Sequence, residues 1–236
     1  MRIHAIGAIS SRKYYTRTRH VPVTKQPILP AVSIDLARIV MRYASDIGLN
    51  GPRIWRRCGL DPGLLQDRYT RLPASIFDAF WQAVEKEAGY ALFGLRLGQA
   101  VKDYAGGHVL YTILLNSPTV GTALEKFCRY HGILSNVVMP RLVEMATSPG
   151  IVLKVFPGVL LDLGQETFIF SLFASIIGNL TGSDENIEEI RFSGAAPEDI
   201  SAYQRGFGCP IRFRCPCSAI VLPKHIMERP VFLANP

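Results

Sequence analysis

The segment Leu142–Leu180, LVEMATSPGIVLKVFPGVLLDLGQETFIFSLFASIIGNL, decides the fold class. It opens with two short β-like runs, Leu142–Ala146 and Ile151–Phe156, separated by a Ser-Pro-Gly turn. β-branched residues suit a pleated surface, and Pro-Gly breaks the chain between them, so the pair reads as a hairpin. Asp162–Leu180 follows as a long, very apolar helix ended by Thr181-Gly182. Its most apolar part, Phe168–Leu180, is shorter than the roughly 18 residues a membrane span needs, so it reads as a helix buried in a protein core. A hairpin running into a core helix differs from alternating β-α units and indicates an α+β domain.

The flanking sequence agrees. Ser33 is a candidate N-cap, and Leu36, Ile39, Val40 and Tyr43 recur after it at helical spacing up to Gly48. Gly51–Cys58 reads as a short helix with Pro52 in its first turn, and Asp61-Pro62 as the start of another. A longer helix is expected from Ser75 to Gly89, with Phe77, Phe80, Trp81 and Val84 on one face. Asn116–Thr119 (NSPT) caps a helix carrying Val120, Leu124, Phe127, Tyr130 and His131, then Leu134. Glu189–Ser193, Pro210–Arg214 and Ser218–Leu222 are strand candidates, with a short helix at Pro197–Arg205. The expectation is a single mixed α+β domain over residues 31–236, helix-rich with short antiparallel strands. An extended basic N-terminal arm over residues 1–30 precedes it.

Charge separates the arm from the body. The chain has 26 Lys and Arg against 19 acids, a net charge of +7, yet Arg2, Arg12, Lys13, Arg17, Arg19 and Lys25 all precede the first acid, Asp35. The body is therefore almost neutral, which argues against a broad nucleic-acid-binding surface there. Hydrophobic residues at 48% exclude a disordered protein. Five cysteines, an odd number, argue against a disulfide framework and for a reducing, cytoplasmic setting. Cys209, Cys215 and Cys217 cluster, but no second pair stands at zinc-ligand spacing, so no metal is expected.

Catalytic signatures are missing: G-x-S-x-G, H-E-x-x-H, Walker A and G-x-G-x-x-G do not occur. His131 reads as a partly buried polar residue, and Asp184, Glu185, Glu188 and Glu189 as a solvated acidic loop. Arg53, Arg56 and Arg57 read as an exposed helix face. Arg212 and Arg214 are expected on one face of a strand, with Phe213 on the other. An enzyme is not expected, nor a cofactor.

Three phrases together resemble a known family. YALFGLRLGQ (Tyr90–Gln99), LLNSPTVGTALEKFCRYHGIL (Leu114–Leu134) and AYQRGFGCPIRF (Ala202–Phe213) resemble, in this order, the N-terminal effector region of AraC/XylS-type transcriptional regulators, in the arabinose-binding-domain-like branch. The resemblance covers about Val32 to Val231. It implies a small-molecule effector, a homodimer, and DNA contact through two helix-turn-helix motifs lying beyond Pro236 rather than through this chain.

The arm SRKYYTRTRHVPV (Ser11–Val23) resembles the arginine motif of PilZ domains, which clamp cyclic di-GMP. Arg12, Lys13, Tyr15 and Arg17 fall on that motif. Lys13 stands where Arg is usual, and Val21 comes one place late. Asp103–Gly107 only begins like the second PilZ motif. Guanidinium groups pair with phosphates and stack on guanine, so Arg12, Lys13, Tyr15, Arg17 and Arg19 are the candidate ligand-binding residues. Three readings stay open. A nucleotide second messenger, cyclic di-GMP favoured, binds the arm. Alternatively, an apolar effector such as a fatty acid occupies an interior pocket. In the third, the arm is a nucleic-acid grip or targeting segment.

Overall fold

Ser33 closes the first strand and opens the first helix. In the computed structural model, which describes residues 29–67, 69–89, 92–104, 108–145, 147–183 and 187–232, β1 is Ala31–Ser33 and α1 is Ile34–Asp46. The Ser33 hydroxyl accepts from the Asp35 N–H at 3.2 Å, satisfying one of the otherwise orphaned amides of the first turn. Helix α2, Gly51–Arg57, is capped in the same way by Asn50, with Pro52 in its first turn. The helix expected from Asp61-Pro62 is only a single 3₁₀ turn, Pro62–Leu65. Arg38 Nε donates to the Leu65 carbonyl at 2.8 Å and so claims an acceptor that a longer helix would need. Strand β2, Arg71–Pro73, pairs antiparallel with β1, Val32 opposite Leu72. It leads directly into α3, Ala74–Ala88, whose Phe77, Phe80, Trp81 and Val84 are buried as expected.

Two helices follow that sequence periodicity did not assign: α4, Phe93–Tyr104, and α5, Val109–Leu115. Gly94 and Gly98 lower the helix propensity of α4; packing on a neighbouring helix makes them necessary, as described below. Thr119 caps α6, Val120–Tyr130. That helix stops before His131, which opens a 3₁₀ turn, His131–Ile133, instead of continuing the helix.

The hairpin is present and longer than expected at its start. Strand β3, Val138–Glu144, pairs with β4, Pro149–Val155, from Val138 opposite Val155 to Glu144 opposite Pro149. Pro140 hides this extension, because proline removes a ladder donor. It is tolerated here because β3 is an edge strand. Then comes α7, Leu163–Thr181, opened by a capping box in which the Asp162 side chain accepts from Gln165 N and Gln165 reaches back to Asp162 N. Gly182 ends it in the left-handed conformation, φ 66°.

Strand β5, Glu189–Arg191, helix α8, Ile200–Phe207, strand β6, Ile211–Arg212, strand β7, Ala219–Val221, and helix α9, Lys224–Glu228, complete the described fold. Strand order in the larger sheet is β3-β4-β7-β5-β6. The sheet is antiparallel except for β5 and β6, which run parallel because α8 carries the chain across between them. Two expectations are corrected here. Glu189 belongs to β5, not to an acidic loop. Arg214 leaves the strand with φ 57° and does not share a face with Arg212, while Phe213 stacks on Phe192 with ring centroids 5.0 Å apart.

α7 is the hub. Its Phe168 meets Trp81 of α3 at 5.4 Å, Phe173 meets Phe127 of α6 at 5.1 Å, and Phe170 meets Phe192 beyond β5 at 5.2 Å. Its apolar length is thus consumed by the core of this chain. Among the described residues, no helix is long and apolar enough to cross a membrane.

Candidate functional site: an interior chamber

One side of α7 does not meet a neighbour. Between it, α3, the 3₁₀ turn at His131 and the start of β3 lies a chamber of about 630 Å³. That volume lies in the range of small-molecule sites. Its walls are mostly hydrocarbon: Phe77 and Trp81 from α3, Phe168, Ile169 and Leu172 from α7, and Val138 from β3. Leu29 and Leu160 stand at its rim, 71% and 92% exposed, so the entrance is apolar too. Exposed leucines at a concave mouth are the kind of surface that ordinarily marks binding.

Polar groups enter the lining at few places. His131 is 8% exposed, and its Nδ1 has no hydrogen-bond partner among the described residues. Burial alone pushes its imidazole down to about 4, so the ring is neutral at physiological pH. Its ring lies 5.3 Å from that of Phe127, centroid to centroid. Toward the start of α7, Gln165 Nε2 donates to Asp78 Oδ1 at 2.9 Å, and Gln82 Nε2 donates to Asp78 Oδ2 at 3.2 Å. Glu85 sits over Gly164, where a side chain would collide with its carboxylate. Burial, and then the charge of Asp162, push Glu85 up to about 7. Burial also raises Asp162, and the charge of Asp78 adds to the rise. Of these groups Asp78 and Gln165 line the chamber, whereas Gln82, Glu85 and Asp162 are not part of its lining; among the described residues no Lys or Arg lines it.

Arg12, Lys13, Tyr15, Arg17 and Arg19, the site residues expected from sequence, lie outside the described residues, as do residues 105–107 of the Asp103–Gly107 phrase. The first residues after the arm can be placed. Asn136 Nδ2 donates to the Leu29 carbonyl at 3.0 Å, and Ala31 N donates to Asn136 Oδ1 at 2.6 Å. Arg71 Nη2 donates to the Ala31 carbonyl at 3.1 Å. Leu29 and Pro30, assigned to the arm by composition, are thereby fastened at the chamber rim.

Of the other residues singled out in the sequence, Glu188 accepts from Ser148 Oγ at 2.9 Å. Arg57 meets Glu87 at 3.3 Å on the surface. All five cysteines are free and partly buried, and no group of His, Cys, Asp and Glu among the described residues is placed to hold a metal. Sequence periodicity flagged Phe77, Trp81 and His131 without showing that they share a cavity. Asp78 and Gln165 were missed. The one signal available was the D-x-x-Q cap spacing at Asp162.

The model of the family described as the arabinose-binding domain of AraC transcription regulators, N-terminal, matches residues 48–231, and the chain belongs to that family. The ornithine utilization regulator of Pseudomonas aeruginosa (strain PAO1) is 23% identical over 223 residues, covering 90% of this chain and 63% of that protein. The crystal structure of the transcriptional regulator CdpR from Pseudomonas aeruginosa aligns with a TM-score of 0.57 at 17% identity, over 85% of this chain and 58% of that one. The latter likeness is one of fold. The chain thus spans less than two thirds of the length of each of these two proteins.

Proposed function

We propose that this domain is the effector-sensing part of an AraC-type transcription regulator and that its effector is an apolar small molecule held in the interior chamber. The observation that carries the reading is the 630 Å³ chamber with hydrocarbon walls and one buried neutral histidine. Occupancy would be coupled to DNA binding by the regulator, through a homodimer acting in the cytoplasm. Nile red, a neutral apolar dye, is the probe. Its fluorescence should rise on titration with the full chain, and Ile169→Trp, whose larger side chain takes up part of the chamber, should weaken the rise. An unaltered signal in that variant would refute the reading.

A second reading has its own support in the acid-free cluster of six cations ahead of Asp35. In it, Arg12, Lys13, Tyr15, Arg17 and Arg19 hold a phosphate-bearing ligand, cyclic di-GMP being the candidate. Calorimetry with cyclic di-GMP on the wild type and on Arg12→Ala/Arg17→Ala/Arg19→Ala tests it. Loss of binding supports the arm, and unchanged affinity rejects it. Removing residues 1–28 should leave Nile red binding intact.

A further inference from the structure

The lining of the chamber is one-sided in charge as well as apolar. An anionic head group buried among hydrocarbon requires a cation or several donors to replace its water shell. None of the described lining residues is Lys or Arg. His131 is buried and neutral, so it offers a hydrogen bond and no charge. Near the start of α7 the carboxylate that lines the chamber is Asp78, and the nearby side-chain amides of Gln165 and Gln82 donate to it. Asp78 has its two oxygens toward Gln165 and Gln82. Outside the lining, the charge of Asp78 raises the proton affinity of Asp162, and that of Asp162 raises the proton affinity of Glu85. No cation appears among the causes acting on either of them. A carboxylate or phosphate brought to this end would meet negative charge at short range in a medium of low polarity, where such repulsion is least screened.

Resting on the chamber reading above, we infer that the chamber selects an apolar ligand whose head group donates a hydrogen bond and carries no negative charge, an alcohol or an amine, and rejects the corresponding carboxylate. Selectivity of this kind comes from repulsion built against the wrong head group as much as from attraction to the right one.

Three twelve-carbon probes share one tail: dodecan-1-ol, dodecylamine and dodecanoate. Each is used to displace Nile red from the full chain at pH 7.5, below its micellar concentration. Dodecanol or dodecylamine should displace the dye at a concentration at least tenfold lower than dodecanoate. Asp78→Asn keeps an oxygen for Gln165 while removing the charge, and should narrow that gap to under threefold. Gln165→Glu keeps the capping-box spacing and adds charge at the same end, and should widen the gap at least a further threefold. It decides the matter if Asp78→Asn does not fold by circular dichroism. Dodecanoate binding as tightly as the alcohol and the amine, or a gap untouched by the folded variants, overturns the inference and leaves the chamber reading standing. If no probe displaces the dye and Ile169→Trp does not affect the dye's binding, the chamber reading falls and this inference falls with it.

Discussion

The two sides of α7 are built to opposite rules. Against α4 the helix is sealed. Gly94 and Gly98 let the α4 backbone approach so closely that a Cβ at Gly94 would strike the Gly164 carbonyl, and one at Gly98 would stand 2.5 Å from Ser171 Cβ. Residues four apart lie on one helix face, so both glycines serve the same contact. Ser171 Oγ then donates to the Leu95 carbonyl at 2.6 Å inside the seam. Against α3 and β3, the same helix presents Ile169 and Leu172 to open volume. A close-packed interior forfeits dispersion and transfer energy wherever it leaves a void. A chamber of this size is therefore a stability cost.

The largest effect expected is on the sealed side. Gly94→Val should remove the folded state, or lower its stability by more than about 3 kcal/mol, since backbone and not a flexible side chain blocks the new group. A denaturation midpoint within error of wild type would show that the seam is not close-packed. Gly98→Ala should cost about 2 kcal/mol by urea titration, the obstacle being Ser171 and the adjacent Leu172 amide. Ile169→Trp on the hollow side adds more atoms than either, yet should cost less than about 1 kcal/mol because the ring enters free volume. Equal losses for Gly98→Ala and Ile169→Trp would break the contrast.

Two smaller effects sharpen it. Glu85, on the flank between the two sides, holds its proton up to about 7, against 4.5 ordinarily. Between those values the folded chain keeps a proton that the unfolded chain has released, so this residue's contribution to stability is lost as pH rises through that window. Glu85→Gln should be indistinguishable from wild type at pH 4 and more stable at pH 8 by about 1 kcal/mol, allowing for solvent screening of a half-exposed group. Melting curves at both pH values check this; a gap of equal size at both rejects it. The smallest effect is expected at the rim. Asn136→Ala frees the Leu29 carbonyl and the Ala31 amide, both partly solvated, and should cost about 0.5–1 kcal/mol. It should also speed hydrogen exchange at Ala31 and leave the α4–α7 seam protected.

Local signals in the sequence were reliable where the physics is local. Ser33 and Thr119 cap helices as expected, because a short oxygen-bearing side chain meets the amides two or three residues on, whatever the surrounding fold; Asn50 and Asp162 follow the same rule but were not read as caps. Phe77, Phe80, Trp81 and Val84 are buried because helical spacing puts them on one face. Misreadings arose where a distant partner changed the local preference. Arg38 stops the helix expected after Pro62. The sheet edge accommodates Pro140 in a strand that composition would not assign. The glycines that weaken α4 as an isolated helix are what its packing requires.

By itself, then, the sequence determined an α+β domain with its hairpin, its core helix and the caps at Ser33 and Thr119, because these follow from periodicity and neighbouring amides. It also showed that the positive charge is concentrated ahead of Asp35. Only the tertiary structure decided where the interior stays open. A cavity is a property of how side chains from α3, α7, β1, β3 and the turn at His131 fail to fill one space.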